Sequence, residues 1–255
     1  MMNVATKPFE LTNIYYDLLY KDKHYQQEAN YINNLIQQYY PKAKQIIELG
    51  SGTGNYSTHL SLLGYTITGV ERDEEMNKIA RAKFIPNFTP ITNNIISFEL
   101  QHTCDAVVAL FHVISYLTTN NELVGCFKQV AKHLKPGGIF IFDVWYTPAV
   151  YTQVPQPRIK HVDNQAFFIT RKAYPSICYL NNTVRVDYDI SITNPEENSS
   201  YFIKESHTMR HFSTPEIELI AASSSFNLMA AEEFLTAKEP GKDTWGVCYI
   251  LKKNA

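Results

Sequence analysis

Two acids and three glycines around residue 50 carry the clearest chemical signature of the sequence. Residues 46–56 read IIELGSGTGNY, so an apolar run ends with Glu48 near its close, and Gly50, Gly52 and Gly54 follow at alternate positions. Glycine allows positive φ and lets a ligand approach the bare backbone. The spacing is GxGxG and not the GxGxxG that seats a dinucleotide pyrophosphate on a helix N-terminus. The loop therefore favours an uncharged nucleoside with an amino-acid tail.

A second acid, Glu71, ends the next predicted strand, about twenty residues after the loop, where a carboxylate can accept hydrogen bonds from both ribose hydroxyls. Glu48 would repel a phosphate, but it would attract an ammonium or sulfonium group. Together the two acids predict a ligand in which an adenosine carries a cationic tail.

Helix and strand patterns alternate up to about residue 145, and this order predicts parallel strands joined by helices. Ligands of such sheets bind at the carboxyl ends of the strands, which is where the glycine loop and Glu71 are expected. The predicted strands are 45–49, 65–71, 88–92, 106–110 and 139–142, and the predicted helices are 25–40, the segment from the glycine loop to Gly64, 74–83 and 120–134.

A different pattern occupies residues 150–212, which contain three β-rich runs. Clean alternation of apolar and polar residues over 184–192 indicates a half-buried antiparallel strand. The predicted fold class is therefore α/β, a Rossmann-like doubly wound seven-stranded sheet with a small antiparallel β insertion after the fifth strand. The first pattern resumes with a predicted helix and two strands, at 215–226, 228–235 and 245–251.

The ordered set of glycine loop, ribose acid and later segments resembles the class I S-adenosylmethionine-dependent methyltransferases. Four further segments together resemble the bacterial sugar N-methyltransferases that act on nucleotide-linked amino-deoxyhexoses, the TDP-amino-deoxyhexose N,N-dimethyltransferase type. These segments are YDLLYKDKHYQQEA (16–29), LFHVISYL (110–117), FDVW (142–145) and ESHTMRHF (205–212). The chain departs from the expected pattern at Asn94, where an acid would hold the adenine amino group, and at Tyr116, where the family likeness allows a histidine.

This resemblance implies a methyltransferase with S-adenosyl-L-methionine as cofactor and a small polar acceptor, first of all the amino group of a nucleotide-linked amino-deoxysugar. It assigns residues 1–149 and 213–255 to the cofactor-binding domain and 150–212 to an insertion that covers the acceptor site. A homodimer is expected from the likeness alone. The residues expected to bind the cofactor are Tyr25, Glu48, Gly50, Ser51, Gly52, Gly54, Glu71, Arg72, Met76, Asn94, Ile95, Leu110 and Phe111.

Catalysis by such an enzyme mainly requires alignment of nucleophile, methyl carbon and leaving sulfur, together with a neutral attacking amine. The candidates for this chemistry are Tyr16, His112 and Tyr116. His112 lies just past the fourth predicted strand, on the ligand side, and its alternative role is to pack against the adenine or the core. The residues expected to contact the acceptor are Asp143, Trp145, Arg171 and His207.

Composition narrows the class of protein further. Lys and Arg number 23 against 25 Asp and Glu, with no basic block, so we expect no nucleic-acid partner. No apolar run reaches membrane-spanning length and no leader is evident, so we expect a cytoplasmic protein without a membrane partner. Four scattered cysteines form no CxxC pair, so we expect reduced, buried or semi-buried thiols and no metal site.

Three alternatives stay open at the level of the sequence. The first is a methyltransferase for another small amine or hydroxyl acceptor. The second is a different adenosine-binding enzyme, such as a dehydrogenase or an aminopropyl transferase, and the glycine spacing disfavours the dehydrogenase. The third is a non-catalytic S-adenosylmethionine-binding module.

Overall fold

A computed structural model of the 255-residue chain describes residues 3–4, 16–164, 167–196 and 198–254. The chain forms two compact units, a larger one of residues 24–153 and 210–255 and a smaller one of residues 154–209 together with the chain up to Lys23. In chain order the elements are β1 (Asn3–Val4), α1 (Tyr25–Tyr39), β2 (Gln45–Leu49), α2 (Asn55–Leu62), β3 (Thr66–Glu71), α3 (Glu74–Ala82), β4 (Phe88–Thr92), β5 (Cys104–Ala109), α4 (Asn120–His133), β6 (Leu134–Trp145), α5 (Thr147–Thr152), β7 (Arg158–Asp163), β8 (Phe168–Cys178), β9 (Thr183–Asn194), β10 (Ser199–Arg210), α6 (Thr214–Ser223), β11 (Phe226–Glu233) and β12 (Gly246–Lys253).

The larger unit contains a seven-stranded sheet in the order β11-β12-β6-β5-β2-β3-β4. Strands β2 to β6 are parallel, whereas β12 runs antiparallel to β6 and β11 antiparallel to β12. The carboxyl ends of β2, β3, β5 and β6 therefore meet at one edge of the sheet, which is the edge where ligands of doubly wound folds bind. This arrangement confirms the predicted fold class.

Successive strand residues point to opposite faces of this sheet, and helices bury both faces. Ile46 packs with Ile32 and Leu60 of α1 and α2 on one face, while Ile47 packs with Phe127 of α4 on the other. All six residues of β5 are buried, as expected for a central strand covered on both sides. Helices thus hold the sheet rigid beneath the carboxyl-end loops.

The smaller unit contains a five-stranded sheet in the order β1-β10-β9-β8-β7. Strands β7, β8 and β9 pair antiparallel, and β1 adds to β10 in parallel. One face carries a cluster of apolar residues that includes Leu19, Val162 and Ile190. Leu19 and its neighbours thus group with this unit, whereas the sequence analysis placed them in the larger domain.

Two local expectations differ from the structure. Residues 136–138 read PGG, which predicts a turn, but they lie inside β6, which begins at Leu134 and pairs with β5 through a register shift between Cys104 and Ala106. Among the cysteines, Cys178 is exposed at the end of β8, whereas Cys104, Cys126 and Cys248 are buried as expected. Among the described helices, none combines the length and apolar character that a membrane span requires.

The central aromatic packing can be tested with Phe127→Ala. Phe127 is fully buried and lies edge-on to Phe140, Phe142 and Phe226, with ring centroids 5.5, 5.7 and 6.3 Å apart. Its truncation should lower the unfolding free energy by about 3–5 kcal/mol, measured by urea denaturation. The control Leu219→Ala, at a 73% exposed position of α6, should change it by less than about 0.5 kcal/mol. Equal effects of the two substitutions would contradict this packing.

Candidate cofactor-binding and catalytic site

The glycine loop joins β2 to α2 at the carboxyl edge of the sheet. Gly50 has a φ of 65°, and a Cβ atom there would lie 2.6 Å from a methyl carbon of Val113, so packing alone requires glycine. Gly52 also has a positive φ, of 52°, but a Cβ atom there would meet nothing within 4 Å. The loop is therefore tightly packed on one side and open at Gly52, where a ligand can reach the backbone.

Glu71 holds this loop against the end of β3. One carboxylate oxygen accepts a hydrogen bond from the Gly52 backbone N–H at 3.0 Å, and the other accepts from the Asp73 N–H at 2.9 Å. The side chain is half-buried, and each oxygen keeps a further lone pair. The acid thus fixes the open part of the loop and can still accept hydrogen bonds from a diol. Its role as the ribose ligand stays a prediction.

Glu48 is a buried acid beneath the loop, with 2% of its surface exposed. The Ser57 hydroxyl donates a hydrogen bond to it. Burial raises the pKa of Glu48, the Ser57 bond lowers it and the nearby Glu71 raises it, with a net value of about 8. Among the described residues, neither Glu48 nor Glu71 forms an ion pair. The site therefore presents two neighbouring acids without a cation, and a ligand that carries positive charge fits it.

The remaining predicted cofactor residues lie between the start of α1 and the segment after β5. Asn94 is exposed, and its side-chain oxygen accepts from the Ile96 backbone N–H at 3.1 Å, which leaves one lone pair for an adenine amino group. Arg72 is exposed after β3. Gly54 precedes α2, Ser51 is buried in the loop, Met76 lies on α3, Ile95 follows β4, Leu110 is buried after β5, Phe111 is half-buried beside it, and the Tyr25 ring packs edge-on to Tyr56.

His112 and Asp143 meet at the same edge of the sheet, beyond β5 and near the end of β6. The ring Nδ1 of His112 lies 2.7 Å from Oδ2 of Asp143, and the backbone N–H of His112 donates to the same oxygen at 3.2 Å. The His112 side chain is 23% exposed, whereas that of Asp143 is 2% exposed. The structure thus brings the predicted base and one predicted acceptor residue together as a pair.

Trp145 continues this group along the edge of the sheet. Its ring is edge-on to His112, with centroids 6.1 Å apart, and to Trp245, at 6.3 Å. Tyr116 is 39% exposed, in a short 3-10 helix over Val113–Tyr116. The base candidate His112 therefore contacts two other predicted residues of the larger unit, Asp143 and Trp145.

The other three predicted residues lie in the smaller unit and are linked there by two tyrosines that the sequence analysis did not single out. The Arg171 guanidinium lies 5.6 Å from the Tyr20 ring centre and 5.0 Å from that of Tyr188. Tyr16 packs against Tyr20, and His207 is edge-on to Tyr188, with centroids 4.9 and 5.5 Å apart. Their contact with an acceptor stays a prediction. Within the described ranges, no group of three His, Cys, Asp or Glu side chains is placed to hold a metal ion.

A buried pair that was not predicted from the sequence joins α2 to α1. The Tyr56 hydroxyl donates a hydrogen bond to Glu28, an acid that is 6% exposed on α1. Burial, followed by the charges of Glu28 and Asp143, raises the pKa of Tyr56 far above its usual value. The available signal was the position of Glu28 on the apolar face of α1, beside Ala29 and Ile32, where an acid requires a partner.

The chain is similar to proteins that are named as methyltransferases. Residues 46–138 match the family described as methyltransferase domain. The chain is 32% identical over 138 residues to the dTDP-3-amino-3,4,6-trideoxy-alpha-D-glucopyranose N,N-dimethyltransferase of Streptomyces venezuelae, which covers 53% of this chain and 58% of that protein. It is 28% identical over 247 residues to the putative methyltransferase YqeM of Bacillus subtilis, with 94% of both proteins covered.

Among solved structures, the chain is similar to an S-adenosylmethionine-dependent methyltransferase from Clostridium acetobutylicum, with a TM-score of 0.81, 20% identity, and 96% and 98% of the two chains covered. The structural match confirms the fold, and the sequence matches agree with the resemblance to methyltransferases that the sequence predicted. The match to the sugar N,N-dimethyltransferase spans little more than half of that protein's length.

The burial of Glu48 predicts a specific dependence of stability on pH. The folded pKa of about 8 lies above the ordinary value of 4.5, so the folded state retains a proton that the unfolded state releases. The stability that this proton contributes is complete below pH 4.5 and is lost as the pH rises through 8. Because Glu48→Gln cannot ionise, its Tm relative to the native protein should rise steadily between these two pH values.

Thermal unfolding of both proteins across this range measures the effect. The control Glu99→Gln changes an exposed acid that pairs with Lys132, which lowers the pKa of Glu99, so its Tm relative to the native protein should not rise with pH. A difference for Glu48→Gln that stays constant over the whole range would show that Glu48 is not held neutral by burial.

Proposed function

We propose that this protein is an S-adenosylmethionine-dependent methyltransferase that acts on a small amine, first of all the amino group of a nucleotide-linked amino-deoxysugar. The observation that carries the class is the pair of acids Glu48 and Glu71 beside the open glycine Gly52, without an ion-pair partner among the described residues. The observation that supports the acceptor is the 32% identity to a sugar N,N-dimethyltransferase over 53% of the chain.

The residues present fit this cofactor. When bound, S-adenosylmethionine supplies a methyl group carried on a positively charged sulfur. Glu71 would hold the ribose hydroxyls, Glu48 would offset the positive charge of the tail, and Gly52 would allow close approach to the backbone. Asn94, Ile95, Leu110 and Phe111 would contact the adenine.

The chain has two tasks in the reaction. It must align the acceptor with the methyl group, and orientation of this kind contributes roughly 7–11 kcal/mol at its upper range. It must also present the acceptor amine in its neutral form, because an ammonium has no lone pair with which to attack. His112 is the proton acceptor for this second task, since its ring is partly exposed beside Trp145 at the carboxyl edge of the sheet.

The second candidate is another small amine or hydroxyl acceptor. It is favoured by Tyr116, which is 39% exposed where the likeness to sugar enzymes allows a histidine. The relative that matches 94% of the chain is named only as a putative methyltransferase, without an acceptor. Arg171 and His207 are proposed as acceptor contacts in both cases, and residues 150–212 as the segment that selects the acceptor. A homodimer and a cytoplasmic location stay predictions.

The ribose assignment is tested by Glu71→Ala. A hydrogen bond to a charged group contributes about 1.5–3 kcal/mol, so the variant should bind S-adenosylmethionine roughly 10- to 100-fold more weakly in calorimetry. The control Glu75→Ala removes a neighbouring acid of α3 whose ion pair is with exposed Lys78, and it should bind normally. Unchanged affinity in a folded Glu71→Ala protein would remove Glu71 from the site.

The acceptor is tested by mass spectrometry of methyl transfer to a panel of TDP-linked amino-deoxyhexoses, glycine, simple amines and phenols. We expect one or two added methyl groups on a sugar nucleotide, together with consumption of the cofactor. Transfer to a simple amine or phenol alone would favour the second candidate. Cofactor binding without turnover on the whole panel would contradict the sugar assignment, and absence of both would favour a non-catalytic module.

A further inference from the structure

We propose that Asp143 is a positioning residue for His112, which it holds in the tautomer with the proton on Nδ1, so that Nε2 is left to take the proton that the acceptor ammonium loses. This inference rests on the proposed function, because it assigns the base of the same reaction. From the sequence alone, Asp143 is expected as an acceptor contact and His112, separately, as a catalytic candidate.

A single oxygen atom makes both contacts. Oδ2 of Asp143 lies 2.7 Å from the ring Nδ1 of His112 and accepts the backbone N–H of the same residue at 3.2 Å. The first distance fits a hydrogen bond, although its angle falls short of good geometry. Because a carboxylate only accepts hydrogen bonds, the proton of this contact belongs to Nδ1.

Burial makes Asp143 suitable for this task. Its side chain is 2% exposed, and its second oxygen has no hydrogen-bond partner among the described residues. Its neighbours include the Cys248 thiol, opposite Asp143 in the β6–β12 pairing, and the Tyr56 phenol. Burial raises the pKa of both groups, and the charge of Asp143 adds to this shift. His112 is therefore the cationic or proton-donating partner towards which this carboxylate is directed.

The backbone around His112 points to the same conclusion. Phe111 and His112 have φ values of 65° and 62°, and two successive residues other than glycine in this region are costly. The bond from the His112 N–H to Asp143 contributes to holding this conformation. The next residue, Val113, packs against Gly50 of the cofactor loop. Asp143 thus fixes His112 on the same rigid segment that contacts the glycine loop.

Exposure identifies the reactive side of the ring. Nδ1 is sealed from solvent, yet the His112 side chain as a whole is 23% exposed. The exposed part therefore belongs to the rest of the ring, which carries Nε2. The Trp145 ring stands edge-on beside it, with centroids 6.1 Å apart, and limits its tilt. Nε2 is the nitrogen that an acceptor can reach.

The proton transfer is balanced within this arrangement. Nε2 uses its lone pair to form a bond to one ammonium proton of the acceptor, the N–H bond breaks, and the electron pair stays on the acceptor nitrogen. The acceptor becomes a neutral amine and His112 becomes an imidazolium, whose charge the Asp143 carboxylate offsets. His112 then releases the proton from Nε2 to water and regains its starting tautomer.

The tautomer can be measured without turnover. Nitrogen-15 NMR of the histidine rings at alkaline pH, with His112 assigned by its loss in His112→Gln, should show a protonated Nδ1 and a bare Nε2 in the native protein. In Asp143→Asn the side-chain amide can donate to Nδ1, so the His112 signals should move to the other tautomer or to a mixture. A protonated Nε2 in the native protein, or no change in Asp143→Asn, would overturn the proposal.

Kinetics supplies a second readout. With dTDP-3-amino-3,4,6-trideoxyglucose, or the panel member that reacts, Asp143→Asn should lower kcat on the order of 10²-fold with little change in KM. His112→Gln should lower kcat to a similar level, and the double variant should be no slower than either, because the two residues act as one unit. A loss confined to KM, or additive losses, would instead make Asp143 an acceptor contact.

A matched control is Asp105→Asn, which alters another buried acid of the same sheet. Asp105 accepts from the backbone N–H groups of Lys44 and Gln45 and pairs with Lys135, at the opposite edge from His112. This variant should lose stability but keep the His112 tautomer and kcat. If no panel acceptor reacts, the proposed acceptor fails while the NMR result still decides the role of Asp143. If transfer proceeds in Asp143→Asn at the native rate, the positioning role fails and the proposed function stands.

Discussion

The candidate site depends on the way one carboxylate fastens the glycine loop to the neighbouring strand. Glu71 accepts the backbone N–H of Gly52 at 3.0 Å, and the Gly50 N–H donates to the carbonyl of Val70 at 2.7 Å. Because Gly50 also packs against Val113, the loop after β2 and the loop after β5 are fixed to each other. These contacts hold the loop in the conformation that leaves the Gly52 backbone open.

Electrostatics at this edge of the sheet follows from the same arrangement. Burial of Glu48 beside Glu71 is costly, and the pKa of about 8 expresses that cost. At neutral pH this carboxyl is therefore protonated in the free protein, and a cation that enters the site favours its ionised form, which gives selectivity for a positively charged ligand. Asp143 nearby is likewise buried, with the difference that its partner, the His112 ring, belongs to the chain itself.

The sequence predicted the features that are encoded locally and missed those that depend on long-range contacts. The glycine loop, Glu71 and the parallel strands were predictable because short motifs and apolar periodicity encode them. The His112–Asp143 pair joins residues 31 positions apart and becomes visible only in the folded chain. The left-handed backbone of Phe111 and His112 was not predictable, because neither residue favours it and tertiary contacts impose it.

The central claim is that the acidic glycine-loop site selects an adenosine with a cationic tail. Calorimetric titration of the protein with S-adenosylmethionine, and with NAD as an adenosine ligand of opposite charge, tests this claim most directly. We expect saturable binding of S-adenosylmethionine and no measurable binding of NAD, because the GxGxG loop does not seat a pyrophosphate and Glu48 would lie close to it. Binding of NAD as tight as that of S-adenosylmethionine, or tighter, would contradict it.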